Sequence, residues 1–498
     1  MHILNMRTII HMLVVSATLL AFNAKAAPVQ ITVDTSKPLC TNFLGFGVNW
    51  SPYPWFDISD AAWQRVFDRL DFMRVPMVRT MTRAYNYCEG FDANGNPIYA
   101  WDNDDMKKMY RLLDYCESRH VTVVIGEWDD PSATGDRSDI ANDKLQPYHI
   151  GITDPRWTRI IGDFLDHLIK DKNYTCLKYY NLINEPNGSW SHCADFEKWR
   201  IGINNLHAEL VKRGLDQKIQ ITGPDATIAK YFFWIDRAVL ECPGILGAYD
   251  VHEYPKVADL EADHMEQILT GKQDFINRHD PNGRREPFFI GEMGMNGKTK
   301  IGPGGPPEVY ESIQGTWMTD YSIQVARAGM AGGLAWDLDD AMHIVNNDKN
   351  WPDVHKTALK KWGFFNSLAE ETGDPDDAKL RPWFFTWSLM SRSFPAGCQT
   401  LTTTNPGVLG IRTLAAKRGD DISLALVNDS DQPQELHVTV PGSKKVPQLQ
   451  RYNYFPDDQL VDKNGYPLPK ETLADADLQS GLNVSLPARS VVIFTSIR

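Results

Sequence analysis

Two glutamates each follow directly on an apolar segment that has the composition of a β-strand. Glu185 ends the string Tyr-Tyr-Asn-Leu-Ile-Asn-Glu-Pro, in which Pro186 stops strand pairing and leaves the carboxyl group at the strand tip. Glu292 stands in Phe-Phe-Ile-Gly-Glu-Met-Gly, where the flanking glycines allow a sharp turn and the close approach of a ligand. In a parallel sheet, both carboxyl groups would face the same opening.

Two carboxyl groups that meet across one opening can break a glycosidic bond. When they lie about 5–5.5 Å apart, one protonates the departing oxygen and the other attacks the anomeric carbon, so that the configuration is retained. Other carboxylates compete for these roles or for binding sugar hydroxyls, because each follows a predicted strand: Glu127, Asp225 and Asp337. Glu127 would replace one member of the pair if the strand register is misread. A surface charge at a strand end is the alternative explanation for Glu185.

The elements that must position these residues alternate between apolar strands and amphipathic helices. The predicted strands are Gly45–Trp50, Met77–Thr80, Val121–Gly126, Tyr179–Ile183, Ile219–Gly223, Ala248–His252, Phe288–Gly291 and Gly333–Trp336. Connections from strand to helix are long and those from helix to strand are short, as in a barrel with its active site at the strand carboxyl ends. The sequence therefore predicts an α/β fold, a (β/α)8 TIM barrel over residues 43–395, closed by helices at Thr357–Glu371 and Arg381–Phe394.

From about residue 396 to 498 the helical pattern is lost. Turn residues separate four strand-like segments, which are Ile422–Asn428, Glu435–Val440, Leu449–Tyr454 and Leu482–Ile497. About 100 residues of this kind are typical of an antiparallel β-sandwich domain. The segment at 27–42 alternates apolar and polar residues before the barrel begins, and it is a candidate strand of the same sandwich.

A glutamate after asparagine at the end of the fourth strand, with a second glutamate at the end of the seventh, resembles clan A of the glycoside hydrolases. The likeness covers the whole barrel, and the C-terminal sandwich is similar to that of families 30, 39 and 51. The string Gly291-Glu292-Met293-Gly294 is closer to family 5, so no single family is assigned. The resemblance implies Glu185 as general acid/base, Glu292 as nucleophile and a covalent glycosyl-enzyme intermediate.

The same resemblance implies supporting roles for four other residues. Asn184 matches the asparagine that hydrogen-bonds the sugar 2-hydroxyl, and Arg79 resembles the arginine that keeps the nucleophile ionised. His252 and Tyr254 match a His-x-Tyr pair in which the tyrosine hydrogen-bonds the nucleophile and the histidine lines the sugar subsite. Ordinary core roles are the alternative for this pair, and a surface salt bridge is the alternative for Arg79.

Residues at other strand ends are expected to complete the substrate site. Trp336 ends the eighth strand, and its ring is expected to form a floor beneath the apolar face of a sugar. Asn49 and Trp50 end the first strand and are expected to line the pocket. Glu127 is expected to bind sugar hydroxyls.

The first 26 residues have the pattern of a cleavable signal peptide. Arg7 precedes an apolar run at Met12–Phe22, and Ala24-Lys25-Ala26 has the small-x-small pattern of a cleavage site. The apolar run is shorter than the roughly 20 residues that cross a bilayer. The sequence therefore predicts a secreted or periplasmic protein with no membrane insertion.

Charge and cysteine content narrow the classes of partner. The formal net charge is −13, which repels phosphate backbones and argues against nucleic acid as a partner. The seven cysteines are scattered without metal-ligand spacing, and their pairing is left open. The sequence thus predicts a carbohydrate substrate and no metal or other cofactor, and it leaves the oligomeric state undefined.

The leading interpretation is a retaining hydrolase that cleaves β-linked glycosides of oligo- or polysaccharides. An α-L-arabinofuranosidase with the same mechanism is the nearest alternative. A non-catalytic carbohydrate-binding protein on a hydrolase scaffold is the alternative from another class.

Overall fold

A computed structural model describes residues 27–131, 145–227, 233–283, 285–297, 305–345 and 358–497. The predicted signal peptide lies outside these described residues. None of the helices within them combines the length and the apolar character needed to cross a bilayer.

Eight parallel strands close into a barrel, which confirms the predicted fold class. In chain order they are β2 (Gly45–Asn49), β3 (Met77–Thr82), β6 (Thr122–Glu127), β7 (Leu177–Asn181), β8 (Gln220–Thr227), β9 (Leu246–Glu253), β10 (Phe288–Met293) and β11 (Gly332–Ala335). A small antiparallel hairpin, β4 (Cys88–Phe91) with β5 (Pro97–Tyr99), lies in the connection after β3. Strands in a barrel are buried on both sides, and this explains why they were recognisable as short apolar runs.

Amphipathic helices cover the outside of the barrel. The α-helices are α1 (Asp60–Met73), α2 (Asp104–Arg119), α3 (Pro155–Asp166), α4 (Phe196–Arg213), α5 (Phe233–Glu241), α6 (Val257–Glu261), α7 (His264–His279), α8 (Ser312–Arg327) and α9 (Pro382–Ser393). Side chains cap several of their amino ends; for example, Asp195 accepts hydrogen bonds from the backbone of Glu197 and Lys198 at the start of α4. The helix predicted at Thr357–Glu371 is wrong in its described part, because the backbone N–H groups of Trp362 and Gly363 bind the Asp340 carboxylate instead of forming helical bonds.

The remaining strands form a second, largely antiparallel sheet system, consistent with the predicted β-sandwich. They are β1 (Val29–Cys40), β12 (Gln399–Thr403), β13 (Ile411–Arg418), β14 (Asp421–Asn428), β15 (Gln434–Thr439), β16 (Val446–Phe455), β17 (Asp458–Gln459), β18 (Glu471–Ala476), β19 (Leu482–Leu486) and β20 (Ser490–Thr495). The N-terminal strand β1 lies between β12 and β15. The segment predicted as one strand at 482–497 is two strands, since the chain turns between Leu486 and Ser490.

Candidate active site

A cavity of about 420 Å³ opens at the carboxyl ends of the barrel strands. Glu185 and Asn184 follow β7, Glu292 lies in β10, and Trp336 follows β11; all four line this cavity. Five indole rings line it: Trp55, Trp128, Trp190, Trp336 and Trp362. The cavity therefore joins several flat apolar surfaces to a wall that also carries many polar and charged side chains.

The two glutamates predicted from the sequence meet across this cavity. One carboxylate oxygen of Glu185 lies within 4.8 Å of one carboxylate oxygen of Glu292. His252 lies beside both, with its Nδ1 3.0 Å from Glu185 Oε1 and 3.6 Å from Glu292 Oε1. The two carboxyl groups are thus close enough to act on one bound group.

Arg79 holds the base of the site together. Its Nη1 donates to Glu292 Oε1 at 2.9 Å and to Asn49 Oδ1 at 3.0 Å. Its Nη2 donates to Asn184 Oδ1 at 2.7 Å and to Asp225 Oδ2 at 2.8 Å. Because the guanidinium is 1% exposed, it acts from behind these residues and does not itself line the cavity.

The carboxyl group of Glu292 is almost fully enclosed. Tyr254 donates its hydroxyl proton to Glu292 Oε2 at 2.8 Å, so both carboxylate oxygens have a donor. Burial raises the pKa of Glu292, while the positive charges of His252 and Arg79 oppose that rise. The pairing predicted for Arg79 and Tyr254 is present in the geometry.

His252 is buried behind the glutamates and is not among the residues that line the cavity. Its Nε2 lies 2.9 Å from Asp225 Oδ1, so both ring nitrogens face carboxylates. Burial lowers the pKa of His252, but the charges of Asp225 and Glu292 outweigh it and raise the pKa well above its ordinary value. The raised pKa and the two carboxylate contacts favour the imidazolium form of His252, which donates to its neighbours. Since the ring does not line the cavity, the expectation that it lines a sugar subsite is corrected.

Asp225 and Asp250 form a buried acid pair beneath His252, which the sequence did not reveal. Burial raises the pKa of Asp225, but the charges of Arg79 and His252 outweigh it and hold the pKa well below its usual range. Burial and the charge of Asp225 raise the pKa of Asp250 well above its usual range. Neither oxygen of Asp250 has an N–H or O–H donor among the described residues. The raised pKa favours the neutral form of Asp250 beside the ionised Asp225.

Two residues that end the first strand, Trp50 and Asn49, were expected to line the pocket but lie elsewhere. Trp50 packs against α1 and α2 through Trp63 and Tyr115, with ring centroids 6.0 and 5.6 Å away. Asn49 points inward but is 3% exposed, and its Nδ2 donates to the Gly291 carbonyl at 2.9 Å. Consecutive residues of a strand point to opposite sides, so only one of this pair faces the barrel interior.

Glu127 is fully buried and does not reach the cavity. It accepts a hydrogen bond from the Tyr87 hydroxyl at 2.6 Å, and burial raises its pKa to about 7. The expectation that it binds sugar hydroxyls is corrected for this reason. Asp337 is also fully buried, and burial raises its pKa well above the usual range. Neither carboxyl competes with the Glu185–Glu292 pair.

Glu185 adopts a backbone conformation that is uncommon for a residue with a side chain. Its φ is 45°, in the left-handed region. Its N–H donates to the Asp225 carbonyl at 3.1 Å, which keeps the backbone in this position. Strained residues held by their surroundings are concentrated at functional sites.

Within the described part of the chain, two overlapping sets of side chains have the donor atoms of a cation site: Glu185, His252 and Glu292, and Asp225, Asp250 and His252. His252 belongs to both sets, and the carboxylates already face a protonated imidazole. Arg79 lies within 2.9 Å of an oxygen of both Asp225 and Glu292. Positive side chains thus already neutralise this cluster.

Asp250→Asn is expected to keep activity, because a neutral amide replaces a neutral carboxyl group of nearly the same shape. The folded wild-type protein keeps a proton on the Asp250 carboxyl group, whereas the unfolded chain releases this proton above about pH 4. Asp250 therefore lowers the free energy of unfolding of the wild type progressively as pH rises from about 4 toward the raised pKa of this residue. Relative to wild type, the variant should gain up to about 1.4 kcal/mol of unfolding free energy for each pH unit. Urea unfolding at pH 5 and pH 7 measures this, and a constant difference would mean that Asp250 is ionised.

Arg79→Met is expected to destabilise the fold strongly. Two buried carboxylates, Asp225 and Glu292, would lose their cation, and breaking a buried ion pair costs about 3–5 kcal/mol. Urea unfolding of the variant measures the loss. Arg79→Lys serves as control, since it restores the charge but cannot reach all four acceptors, and it should recover only part of the stability. Equal stability of the methionine variant and the wild type would contradict this account.

Comparison with known proteins was consistent with this geometry. The family model described as cellulase (glycosyl hydrolase family 5) matches residues 37–341, which is more than half of the chain. No curated protein matches the chain.

Solved structures share the whole two-domain architecture at low identity. A GH30 endoxylanase from Clostridium papyrosolvens C71 has a TM-score of 0.61 and 11% identity, over 94% of this chain and 100% of that one. A GH39 enzyme from Xanthomonas axonopodis pv. citri has a TM-score of 0.60 and 14% identity, over 96% and 99%. An α-L-arabinofuranosidase from Thermotoga maritima has a TM-score of 0.62 and 12% identity, over 94% and 99%. At these identities the likeness establishes the fold alone.

The family match spans all eight barrel strands completely, together with both glutamates. It also agrees with the resemblance to clan A that the strand-end motifs indicated. The chain is a glycoside hydrolase of clan A and belongs to the cellulase family, glycosyl hydrolase family 5.

Proposed function

We propose that the protein is a retaining hydrolase of β-linked glycosides and that it works by double displacement. Glu292 attacks the anomeric carbon while Glu185 gives its proton to the departing oxygen, so that a glycosyl-enzyme ester forms. Glu185 then takes a proton from water, whose oxygen attacks the anomeric carbon and breaks its bond to the Glu292 oxygen, so that the sugar is released and the Glu292 carboxylate is restored. The supporting observation is that one oxygen of Glu185 lies within 4.8 Å of one oxygen of Glu292. This closeness fits the short carboxyl separation of about 5–5.5 Å in retaining enzymes better than the roughly 6.5–9.5 Å of inverting enzymes.

The contacts of Glu292 suit a nucleophile. The Arg79 cation and the Tyr254 hydroxyl each occupy one carboxylate oxygen. Such fixed donors favour the charged form against the penalty of burial. They also keep the carboxylate oriented before substrate arrives, which is the part of catalysis that positioning supplies.

Asn184 suits the role of a sugar-hydroxyl donor. Its Oδ1 accepts from Arg79 Nη2 at 2.7 Å, which leaves the amide Nδ2 as the group to offer to a ligand. The residue lines the cavity next to Glu185. A hydrogen bond to the sugar 2-hydroxyl from this position would strengthen in the transition state.

His252 suits the step that follows proton delivery. Once Glu185 has given up its proton it is a carboxylate, and the imidazolium Nδ1–H lies 3.0 Å from its Oε1. This contact stabilises the charge that develops on Glu185 during cleavage. Interactions that strengthen with the developing charge lower the barrier and not merely the energy of the bound substrate.

The substrate class follows from the cavity wall and the leader sequence. Tryptophan rings offer several surfaces for the apolar faces of pyranose sugars, which favours oligo- or polysaccharides. The signal-like segment at 1–26 is consistent with action outside the cytoplasm, in the periplasm or the medium.

A panel of 4-nitrophenyl β-glycosides, as mono- and disaccharides, with 4-nitrophenyl α-L-arabinofuranoside beside them, tests the activity. The fastest substrate is then followed by proton NMR, and the first sugar released should have the β configuration. First release of the α anomer from a β-glycoside would overturn the double-displacement mechanism. Preference for the arabinofuranoside would replace the substrate class and keep the mechanism.

A further inference from the structure

Trp190 is the most exposed of the cavity tryptophans, and its indole nitrogen is hydrogen-bonded to the acid/base glutamate. The side chain is 48% exposed and lines the cavity. Its Nε1–H donates to Glu185 Oε2 at 2.7 Å. An indole ring left half in solvent loses the benefit of burial, so this position calls for an explanation beyond packing.

The loop that carries Trp190 is fixed at several points. The Gly188 N–H donates to the Glu185 carbonyl at 2.8 Å, and the Ser191 hydroxyl donates to the Gly188 carbonyl at 2.8 Å. Asn187 Nδ2 donates to the Thr227 carbonyl at 2.9 Å, which ties the loop to β8. The indole ring lies directly over Gly188, where an added Cβ would meet ring carbon Cε2 at 2.2 Å. The ring is therefore held in place before any ligand binds.

The two oxygens of Glu185 face different groups. Oε1 faces buried His252, whereas Oε2 faces Trp190 on the open side of the cavity. A general acid must lie within hydrogen-bonding distance of the oxygen that it protonates, and that oxygen joins the cleaved sugar to the leaving group. Since Glu292 and its partners enclose the anomeric carbon, the leaving group must lie on the Trp190 side of Glu185.

We propose that Trp190 is the platform for the leaving group and, through its N–H, a positioning residue for Glu185. The class of leaving group is a second pyranose sugar, whose apolar face stacks on the exposed indole. This inference rests on the proposed retaining function and adds that the enzyme selects its substrate on the leaving-group side. The N–H bond also stabilises the carboxylate that Glu185 becomes after its proton has left.

The test compares two substrates of the glycone that the chromogenic panel selects: its glycosyl fluoride and its β-linked disaccharide. Fluoride offers no ring to stack and departs with little help from an acid. Trp190→Ala should lower kcat/KM for the disaccharide by about tenfold or more, because aromatic stacking contributes about a factor of ten. The kcat/KM of Trp190→Ala for the glycosyl fluoride should stay within about twofold of the wild-type value.

Two further variants separate the functions of the ring. Trp190→Phe keeps a flat ring but removes the N–H, so KM for the disaccharide should change little while kcat/KM falls only when the leaving group is poor. Gly188→Ala leaves Trp190 in the chain but displaces its ring, because the added methyl group overlaps the indole. This variant should reproduce the discrimination of Trp190→Ala. Thermal unfolding of each variant checks that the fold is kept.

The outcomes distinguish this inference from the function on which it rests. If Trp190→Ala lowers kcat/KM by the same factor for both substrates, or for neither, the platform is excluded while the retaining mechanism stands. If the wild-type protein cleaves neither the fluoride nor the disaccharide, the proposed function itself fails. A loss in Trp190→Ala that Gly188→Ala does not reproduce would place the effect outside the ring position and would also contradict the inference.

Discussion

Glu292→Ala is expected to lower kcat/KM by about five orders of magnitude or more, the effect of removing a covalent nucleophile in other hydrolases. Its carboxylate is the one held by Arg79 and Tyr254, and no other acid of the described cavity wall has both contacts. Release of 4-nitrophenol from the best chromogenic substrate measures the loss.

Azide identifies the role of the missing carboxylate. Alanine leaves space beneath the anomeric carbon, so azide should enter, displace an activated phenolate and give an α-glycosyl azide from a β-glycoside. A β-glycosyl azide from this variant would assign Glu292 to the acid/base role instead. Retention of full activity would remove the mechanism altogether.

Glu127→Gln is the matched control for this variant. It also changes a buried glutamate that ends a barrel strand, but its carboxyl group binds Tyr87 away from the cavity. Glutamine can keep accepting that hydrogen bond, so activity should stay within about tenfold of wild type, a change of about 1.4 kcal/mol in the barrier. A larger loss in Glu127→Gln than in Glu292→Ala would mean that the nucleophile lies at the end of β6.

Glu292→Ala also tests whether the protein is only a carbohydrate-binding protein. Such a protein would have no turnover to lose, and Glu292→Ala would retain its affinity for an oligosaccharide. Calorimetric titration of both forms, beside the activity measurement, separates the two cases.

The barrel strands could be predicted because each is a short apolar run between recognisable turns. The limits shift by a few residues; the fourth strand ends at Asn181 and not at Ile183. In the sandwich, the exposed edge strand β18 (Glu471–Ala476) was missed, since its charged residues and solvent exposure give no alternating apolar pattern.

Residues of the site could be predicted where a strand end fixes their direction. Arg79, Glu292 and Asn184 come together as expected. Trp50 was placed on the wrong side, because neighbouring residues of a strand face opposite ways and Asn49 takes the inner side. The two-residue period of side-chain direction along a strand could have predicted that Trp50 faces outward.

Other parts of the site depend on contacts between distant segments. The raised pKa of Asp250 arises from its burial and from its closeness to Asp225, which is 25 residues earlier and on the adjacent strand. Gly291 was interpreted as a place for ligand approach, but an added Cβ there would lie 2.3 Å from Asp250 Oδ1. Trp190 follows Glu185 by five residues in a loop without periodicity, so only the fold reveals their contact.

Glu185→Ala is expected to lower kcat/KM by a factor that depends on the leaving group of the substrate. General acid catalysis contributes about 10²- to 10⁴-fold, and a sugar leaving group needs all of this assistance. A 2,4-dinitrophenyl glycoside departs without a proton, so kcat/KM for it should change by less than about tenfold, because little acid assistance is lost there. Comparing the two substrates in wild type and variant measures the difference.

Asp129→Asn provides a matched control, since Asp129 is a carboxylate of the same cavity but is held by Arg83 at 2.7 Å. Asp129→Asn should change kcat/KM by a similar factor for both leaving groups. In Glu185→Ala, azide should also speed the breakdown of the glycosyl-enzyme and give a β-glycosyl azide, the opposite configuration from the Glu292 variant. The two azide products together assign the acid/base and the nucleophile, because each anion enters from the face that the missing carboxylate has vacated. An equal loss on both leaving groups in Glu185→Ala would mean that proton delivery comes from another residue.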